Sequence, residues 1–437
     1  MTGTWGPGAV RVLAHGIGAR HDLPLSPFYA FAGAFAALFV SFLALGLLWS
    51  HSRFKGERAG RPLPAAVQRP ADARATRLAA RTLGLGAALF VVLWLLLGPA
   101  DPDRNPAPGA VYVLLWVGLV PASLLLGPVW RPLNPLRTLH LLACRAFRRT
   151  PESGRPLPVR LGMWPAAAGL LAFTWLELVA PDPASSTALL VFLGVHAAVH
   201  LTGAAVYGAH WFDHADAFEV YSGLLARLSP LGRRPADGRL VVRSPFNGLD
   251  ATPQLPGLVA TVCVMLGSTA YDGFSDAPRW ITTVQTSALG RTTTATLGLL
   301  AAVALVATLY ALCAGATRLV CGGGLPRPLT AFAHSLVPIA LGYLVAHYFT
   351  LFATEGPRTL ALASGADRPE APEPPLGPGG VATLQVFAIV TGHVLGVIAA
   401  HDRSVRLMPP RRAVIGQLPL LVLMIAYTVG GLALLIA

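Results

Sequence analysis

The chain reads as an all-α protein, a polytopic bundle of about ten transmembrane helices with both termini on the non-cytoplasmic side of the membrane. Three observations predict this. Of its 437 residues, 54% are hydrophobic and only 12% charged, where an average soluble protein has about 25% charged. Apolar runs recur from Phe28 to the C-terminus, each close to the ~20 residues that cross a hydrocarbon core of about 30 Å at about 1.5 Å per residue. Finally, Lys and Arg collect in alternate loops between those runs.

The spans fall at 28–49, 78–97, 110–130, 161–180, 187–208, 255–271, 294–316, 328–352, 380–400 and 415–437. With the N-terminus outside, 26 of the 33 Lys and Arg lie on the inner side, from Arg53, Lys55, Arg58 and Arg61 after the first span to Arg412 before the last. The acids divide 9 inside and 10 outside, with Glu177 inside a span. Basic residues biased to one side with indifferent acids is the positive-inside signature, and it places the chain in the plasma membrane with both ends extracytoplasmic. The net charge of +13 belongs to these short loops, so it specifies a lipid bilayer as partner and no nucleic acid.

The domain plan follows from the spans: a short outer segment, 1–27, and one transmembrane domain, 28–437. Residues 1–27 lack the long apolar stretch of a cleaved leader. They carry His15, His21 and Asp22 and could fold back as a lid. On the cytoplasmic side, 131–150 and 210–234 alternate apolar and basic residues as interfacial amphipathic segments do. In the second, Phe218, Val220, Tyr221, Leu224, Leu225 and Leu228 can face lipid or the bundle. The outer loop 353–379 is rich in Pro and acids and reads as an exposed, mobile connector. The four cysteines, Cys144, Cys263, Cys313 and Cys321, form no CxxC pair and read as apolar packers.

No Walker lysine motif, GxSxG elbow or HExxH occurs, which argues against an ATPase, a serine hydrolase and a zincin-type protease. The chemistry available is that of ionisable side chains inside helices, where Asp, Glu and His are costly and tend to face a bundle interior. Eight of the 12 histidines sit on three segments. His196, His200, His210 and His214 fall within one stripe if the fifth helix continues past Gly208. His196 and His200, at i and i+4, can ligate one metal. His334 and His347 lie on the eighth span, and His393 and His401 on the ninth.

Depth sorts these into two groups. The inner one contains His200, His210, His334, His393 and His401, joined by Asp402, as a metal-site candidate. The outer one contains Glu177, Asp272 and His347. Glu177, Asp272 and Asp402 are the candidate catalytic carboxylates; any of the histidines could instead be a neutral side chain bonded to a carbonyl.

Several sequence blocks are distinctive: His15-Gly-Ile-Gly-Ala-Arg-His-Asp-Leu-Pro, Arg131-Pro-Leu-Asn-Pro, Phe218-Glu-Val-Tyr-Ser, Ser268-Thr-Ala-Tyr-Asp-Gly-Phe-Ser, His334-Ser-Leu-Val-Pro-Ile-Ala and His401-Asp-Arg. Through them the chain resembles a family of actinobacterial multi-spanning proteins labelled fenitrothion hydrolase. That resemblance implies hydrolysis of an organophosphorus triester. The chemistry would need water made nucleophilic near neutral pH, for which a divalent metal held by His and Asp is the plausible device.

Three functional classes use the same histidines. The first is a metal-dependent phosphotriester hydrolase, with zinc or copper as the ion. The second is a proton- or metal-ion-coupled transporter of a small molecule or ion, with the histidines and Glu177 as its path. In the third, His196 with His347 and His210 with His334 are axial pairs for two haems, the histidines on each helix lying about 20 Å apart at the helical rise. The oligomeric state is not specified by the sequence.

Overall fold

The computed structural model describes residues 27–320 and 327–436; the candidate lid of residues 1–26, with His15, His21 and Asp22, and Cys321 lie outside them. The helices that build the bundle and its site are α1 (Pro27–Leu48), α2 (Arg74–Leu97), α3 (Pro106–Leu126), α4 (Pro135–Ala146), α5 (Trp164–Leu178), α6 (Ser186–Tyr207), α7 (His210–Ala215), α8 (Ala217–Leu225), α9 (Pro245–Asp250), α10 (Leu258–Ser275), α11 (Arg291–Val320), α12 (Pro328–Ala363), α13 (Pro378–Leu407) and α14 (Leu418–Ile436). Among the described residues nine helices are long and apolar enough to cross a membrane.

The predicted span at 161–180 is the difference from ten. It is α5, a helix of 15 residues, about 22 Å long at 1.5 Å per residue. It packs against α10 and α8 and buries Ala166, Leu170, Phe173 and Glu177. A helix sheathed by others needs no full-length lipid-facing surface.

Along the centre, α10 packs on α5, α11 and α12, while α13 joins α12 to α1. The α12–α13 contact is close because glycines line it. A Cβ at Gly392 would stand 2.5 Å from the carbonyl oxygen of Pro338, and one at Gly342 2.6 Å from that of Ala388. In a bundle where lipid offers no hydrophobic drive between helices, such backbone approach supplies the packing.

Helix α3 carries a π-helical stretch, Ala110–Val117, in which the Gly118 N–H reaches the Val113 carbonyl. Just beyond it, Pro121 has no N–H to offer the Val117 carbonyl. Asn105 caps the start by accepting the Ala107 N–H at 3.0 Å. The wider turn presents Tyr112 and Trp116 to the interior, both buried.

Two features of the basic end go beyond the sequence reading. Of the two surroundings open to Phe218, Val220, Tyr221, Leu224, Leu225 and Leu228, the structure gives the bundle: all six are buried, and α8 packs among α3, α5 and α12, while His210 at the start of the segment stays exposed. Strand also occurs in this otherwise helical chain. Arg61–Pro62, Leu231–Arg233 and Leu240–Val242 form a small antiparallel sheet with the last in the centre. The Gln68 side chain extends it by pairing with both backbone groups of Leu240. At the opposite end the Pro-rich connector is stapled, by Arg104 to Asp367 and by Arg368 to Asp101.

Candidate functional site

Among the described residues, two clusters of titratable side chains lie in the bundle interior apart from the Asp250–Arg403–Arg406 ion pairs. The first gathers around Asp272, one turn before the end of α10 and 1% exposed. His347 and Tyr348 are consecutive on α12 and approach the same carboxylate oxygen. The imidazole Nε2 lies 2.6 Å from Oδ2, and the tyrosine hydroxyl donates to it at 2.8 Å. Glu177 stands on α5, which packs beside α10, within electrostatic reach of Asp272, Tyr112, Tyr221 and Tyr348. Trp116 from the π-helical turn stacks on Tyr221 of α8 at 4.4 Å between ring centres.

This chamber holds several buried polar atoms with unmet demand, as the settings of His334, His393 and Arg403 also do. Oδ1 of Asp272, Oε2 of Glu177, the Tyr221 hydroxyl and Trp116 Nε1 are all buried without a hydrogen-bond partner. The Trp116 N–H points toward Tyr348 without reaching hydrogen-bond geometry. Buried polar atoms are nearly always paired, and leaving one unpaired costs about 1–3 kcal/mol. Oδ1 belongs to the carboxylate–imidazole pair itself and the other three atoms come from three neighbouring helices, which leaves hydrogen-bonding capacity around the pair that a proton, water or polar ligand would satisfy. Among the outer candidates, the structure therefore brings Glu177, Asp272 and His347 together. Tyr348, Tyr221 and Trp116 join them; in the sequence they look like ordinary aromatic packing.

The second cluster lies between α6 and the start of α8. His196 and His200, one turn apart, have ring centres separated by 4.2 Å. Asp216 comes from the N-cap of α8, and one donor atom from each of the three lies within 4.8 Å of the others. His196 Nε2 is 3.7 Å from Asp216 Oδ2. Asp216 accepts the Glu219 N–H at 2.9 Å and the Asn134 amide at 3.1 Å. Asn134 in turn binds Glu219, whose carboxylate receives the Arg137 guanidinium. Burial works to raise the Asp216 carboxyl, but the hydrogen bonds and charge of its histidine neighbours, with the Glu219 N–H, hold it down at about 2. Glu219 goes the other way, because burial outweighs its Arg137 partner and raises it. Trp211 donates from Nε1 to Nδ1 of His200 at 3.0 Å.

The remaining candidates are dispersed. Helix α6 stops at Tyr207, and Gly208 turns the chain with φ +75°, so the expected four-histidine stripe ends at His200. His210 lies near Asp213 with its side chain 65% exposed, and His214 donates to the carbonyl of His210. His393 donates to the Ile389 carbonyl, one turn back on its own helix. His401 meets the Trp49 carbonyl and the Gln417 amide. Asp402 accepts three donors, Trp49 Nε1, Ser52 Oγ and the Arg53 N–H, which secure the chain leaving α1. His334 is buried beside Asp250 and Arg403 and bonds the backbone of Ala399.

The inner group of six is thus split among separate settings, with only His200 in the compact cluster. The imidazoles of the two haem pairings are likewise engaged elsewhere, His196 with Asp216 and His347 with Asp272. Compared with known proteins, the chain matches no family model, no curated protein and no solved structure.

Proposed function

We propose that this chain is a multi-pass plasma-membrane protein, with both termini outside, that couples proton binding in the Asp272–His347–Glu177 chamber to transport of a small solute or ion. The carrying observation is the set of orphaned polar atoms around two buried carboxylates. A carboxylate oxygen in a dry interior without a donor is expensive to keep charged, and a proton arriving or leaving changes that cost by several kcal/mol. Such a group sets one conformation against another, as coupling requires. Helix α8 adds a route: Asp216 and Glu219 begin it in the basic-end network and Tyr221 reaches the chamber.

A second reading is the phosphotriester hydrolase that the resemblance implies. It is favoured by the Asp272–His347 pair, a carboxylate orienting an imidazole that could take a proton from water. If the reaction is metal-dependent, the compact donor set is His196, His200 and Asp216, with zinc as the ion its two imidazoles and one carboxylate suit. The readings separate when purified protein in vesicles is tested for proton movement and, in parallel, for release of nitrophenol from an aryl phosphotriester. Proton movement lost in Asp272→Asn, with no phosphotriester turnover in the wild type, supports coupling. Turnover lost in Asp272→Asn, without proton movement, supports the hydrolase and sinks the transporter.

A further inference from the structure

Apart from the proton chamber, the second cluster has the composition of a metal site. Two imidazoles at i and i+4 and one carboxylate are a ligand set that first-row divalent ions accept while keeping coordination positions open for water. The surroundings have the supporting shell such sites need, since Asn134 and the Glu219 N–H fix the carboxylate and Arg137 fixes Glu219. A second device is less expected. Indole N–H can only donate, so its bond to Nδ1 of His200 leaves the proton of the neutral ring on Nε2. A ligating imidazole does the reverse: it binds the ion with one nitrogen and donates the N–H of the other to an acceptor. Whichever nitrogen of His200 ligates, Trp211 must release it. Trp211 is held firmly, its ring stacked on Tyr207 at 5.6 Å and seated where a Cβ on Gly203 would come within 2.2 Å.

We propose that His196, His200 and Asp216 bind one first-row divalent cation, and that Trp211 is a latch that keeps His200 from ligating until the ion displaces it. The ion takes one nitrogen from each imidazole and one Asp216 oxygen, with solvent completing the shell. The latch sets the affinity, because every loading event must break the Trp211–His200 bond.

The test uses the full chain, purified in detergent, stripped with chelator and titrated with Co²⁺. Ligand-field absorption is followed, with bound cobalt measured by elemental analysis. Asp216→Asn keeps a competent N-cap for α8, and His196→Gln keeps side-chain length, so both are suited to fold; thermal unfolding checks this. One cobalt per chain with ligand-field bands is expected in the wild type. Asp216→Asn and His196→Gln should weaken binding at least tenfold, a typical loss being about 10–100-fold even for supporting residues. His214→Ala should bind as the wild type does, and Trp211→Phe about tenfold more tightly. Absence of saturable cobalt in both the wild type and Trp211→Phe overturns the site, as does unchanged binding in folded Asp216→Asn, which would show an adventitious ion only. Binding that needs Asp216 but is not strengthened by Trp211→Phe overturns the latch.

Discussion

The imidazole of His347 and the carboxylate of Asp272 meet at 2.6 Å across the α12–α10 contact, and the adjacent Tyr348 hydroxyl reaches the same oxygen. Tyr348→Phe keeps the ring and removes that donor. It should cost about 1 kcal/mol of stability and slow proton-linked turnover by about tenfold. Thermal unfolding and vesicle uptake, measured on the same preparation, check both; full turnover in Tyr348→Phe would show that Asp272 needs only His347.

Asp402 presents the opposite case, a buried carboxylate whose donors are all structural. Asp402→Ala strands Trp49 Nε1, Ser52 Oγ and the Arg53 N–H. The expected loss is about 3 kcal/mol, seen as a lower unfolding temperature, while surviving folded protein keeps its proton response. A folded Asp402→Ala protein without that response would make Asp402 part of the proton path.

Much of this division was legible in advance, and its limits are physical. Apolar runs report how deep a segment lies, so the helices and the depth grouping of Glu177, Asp272 and His347 could be read from sequence. Periodicity says which face of α8 is apolar but not whether lipid or protein covers it; only the structure puts the bundle there. A depth argument cannot supply azimuth either. His334, His393 and His401 fall on the inner side with His200 by sequence, yet in the structure they face different neighbours. The glycine that breaks the histidine stripe, Gly208, needs its left-handed φ only because the chain turns there. The three-stranded sheet joins Gln68 to Leu240 over a separation of 172 residues, beyond any local pattern. The sequence blocks gain meaning in the fold: Asn134 of the second ties to Glu219 of the third, and Arg403 of the last to Asp250.

Asp250 is the pH-sensitive tie at the basic end. Burial works to raise its carboxyl, but the hydrogen bond from Arg406 and the charges of Arg403 and Arg406 prevail and hold it below the ordinary value of 3.8. A carboxyl lowered on folding contributes its full stability above 3.8 and loses it as the pH falls through the folded value. Unfolding temperature should therefore be insensitive to this group from neutral pH down to about 4 and fall below it. Asp250→Asn leaves buried Arg403 without its carboxylate, bonded only to the backbone carbonyls of Ala331 and residue 250 and to an uncharged amide; it should cost about 3 kcal/mol at neutral pH and should flatten part of the acid limb. An unchanged acid limb would assign that limb to other carboxyls.

The α12–α13 seam makes a packing prediction. In Gly392→Ala the new methyl must push the Pro338 carbonyl away from a position 2.5 Å distant, and overpacking of this kind costs about 1–3 kcal/mol. Gly315→Ala, which meets nothing within 4 Å, is the matched control. Equal unfolding temperatures for the two variants would mean that the seam is looser than its geometry.

The most direct test of the central claim is proton movement in vesicles carrying the purified protein, with an internal pH-sensitive dye, an imposed pH gradient and Zn²⁺ added outside as the probe ion. Wild type and Asp402→Asn should dissipate the gradient, whereas Asp272→Asn and Glu177→Gln should retain it at the level of protein-free vesicles. Dissipation by Asp272→Asn at the wild-type rate would contradict the chamber as the proton site.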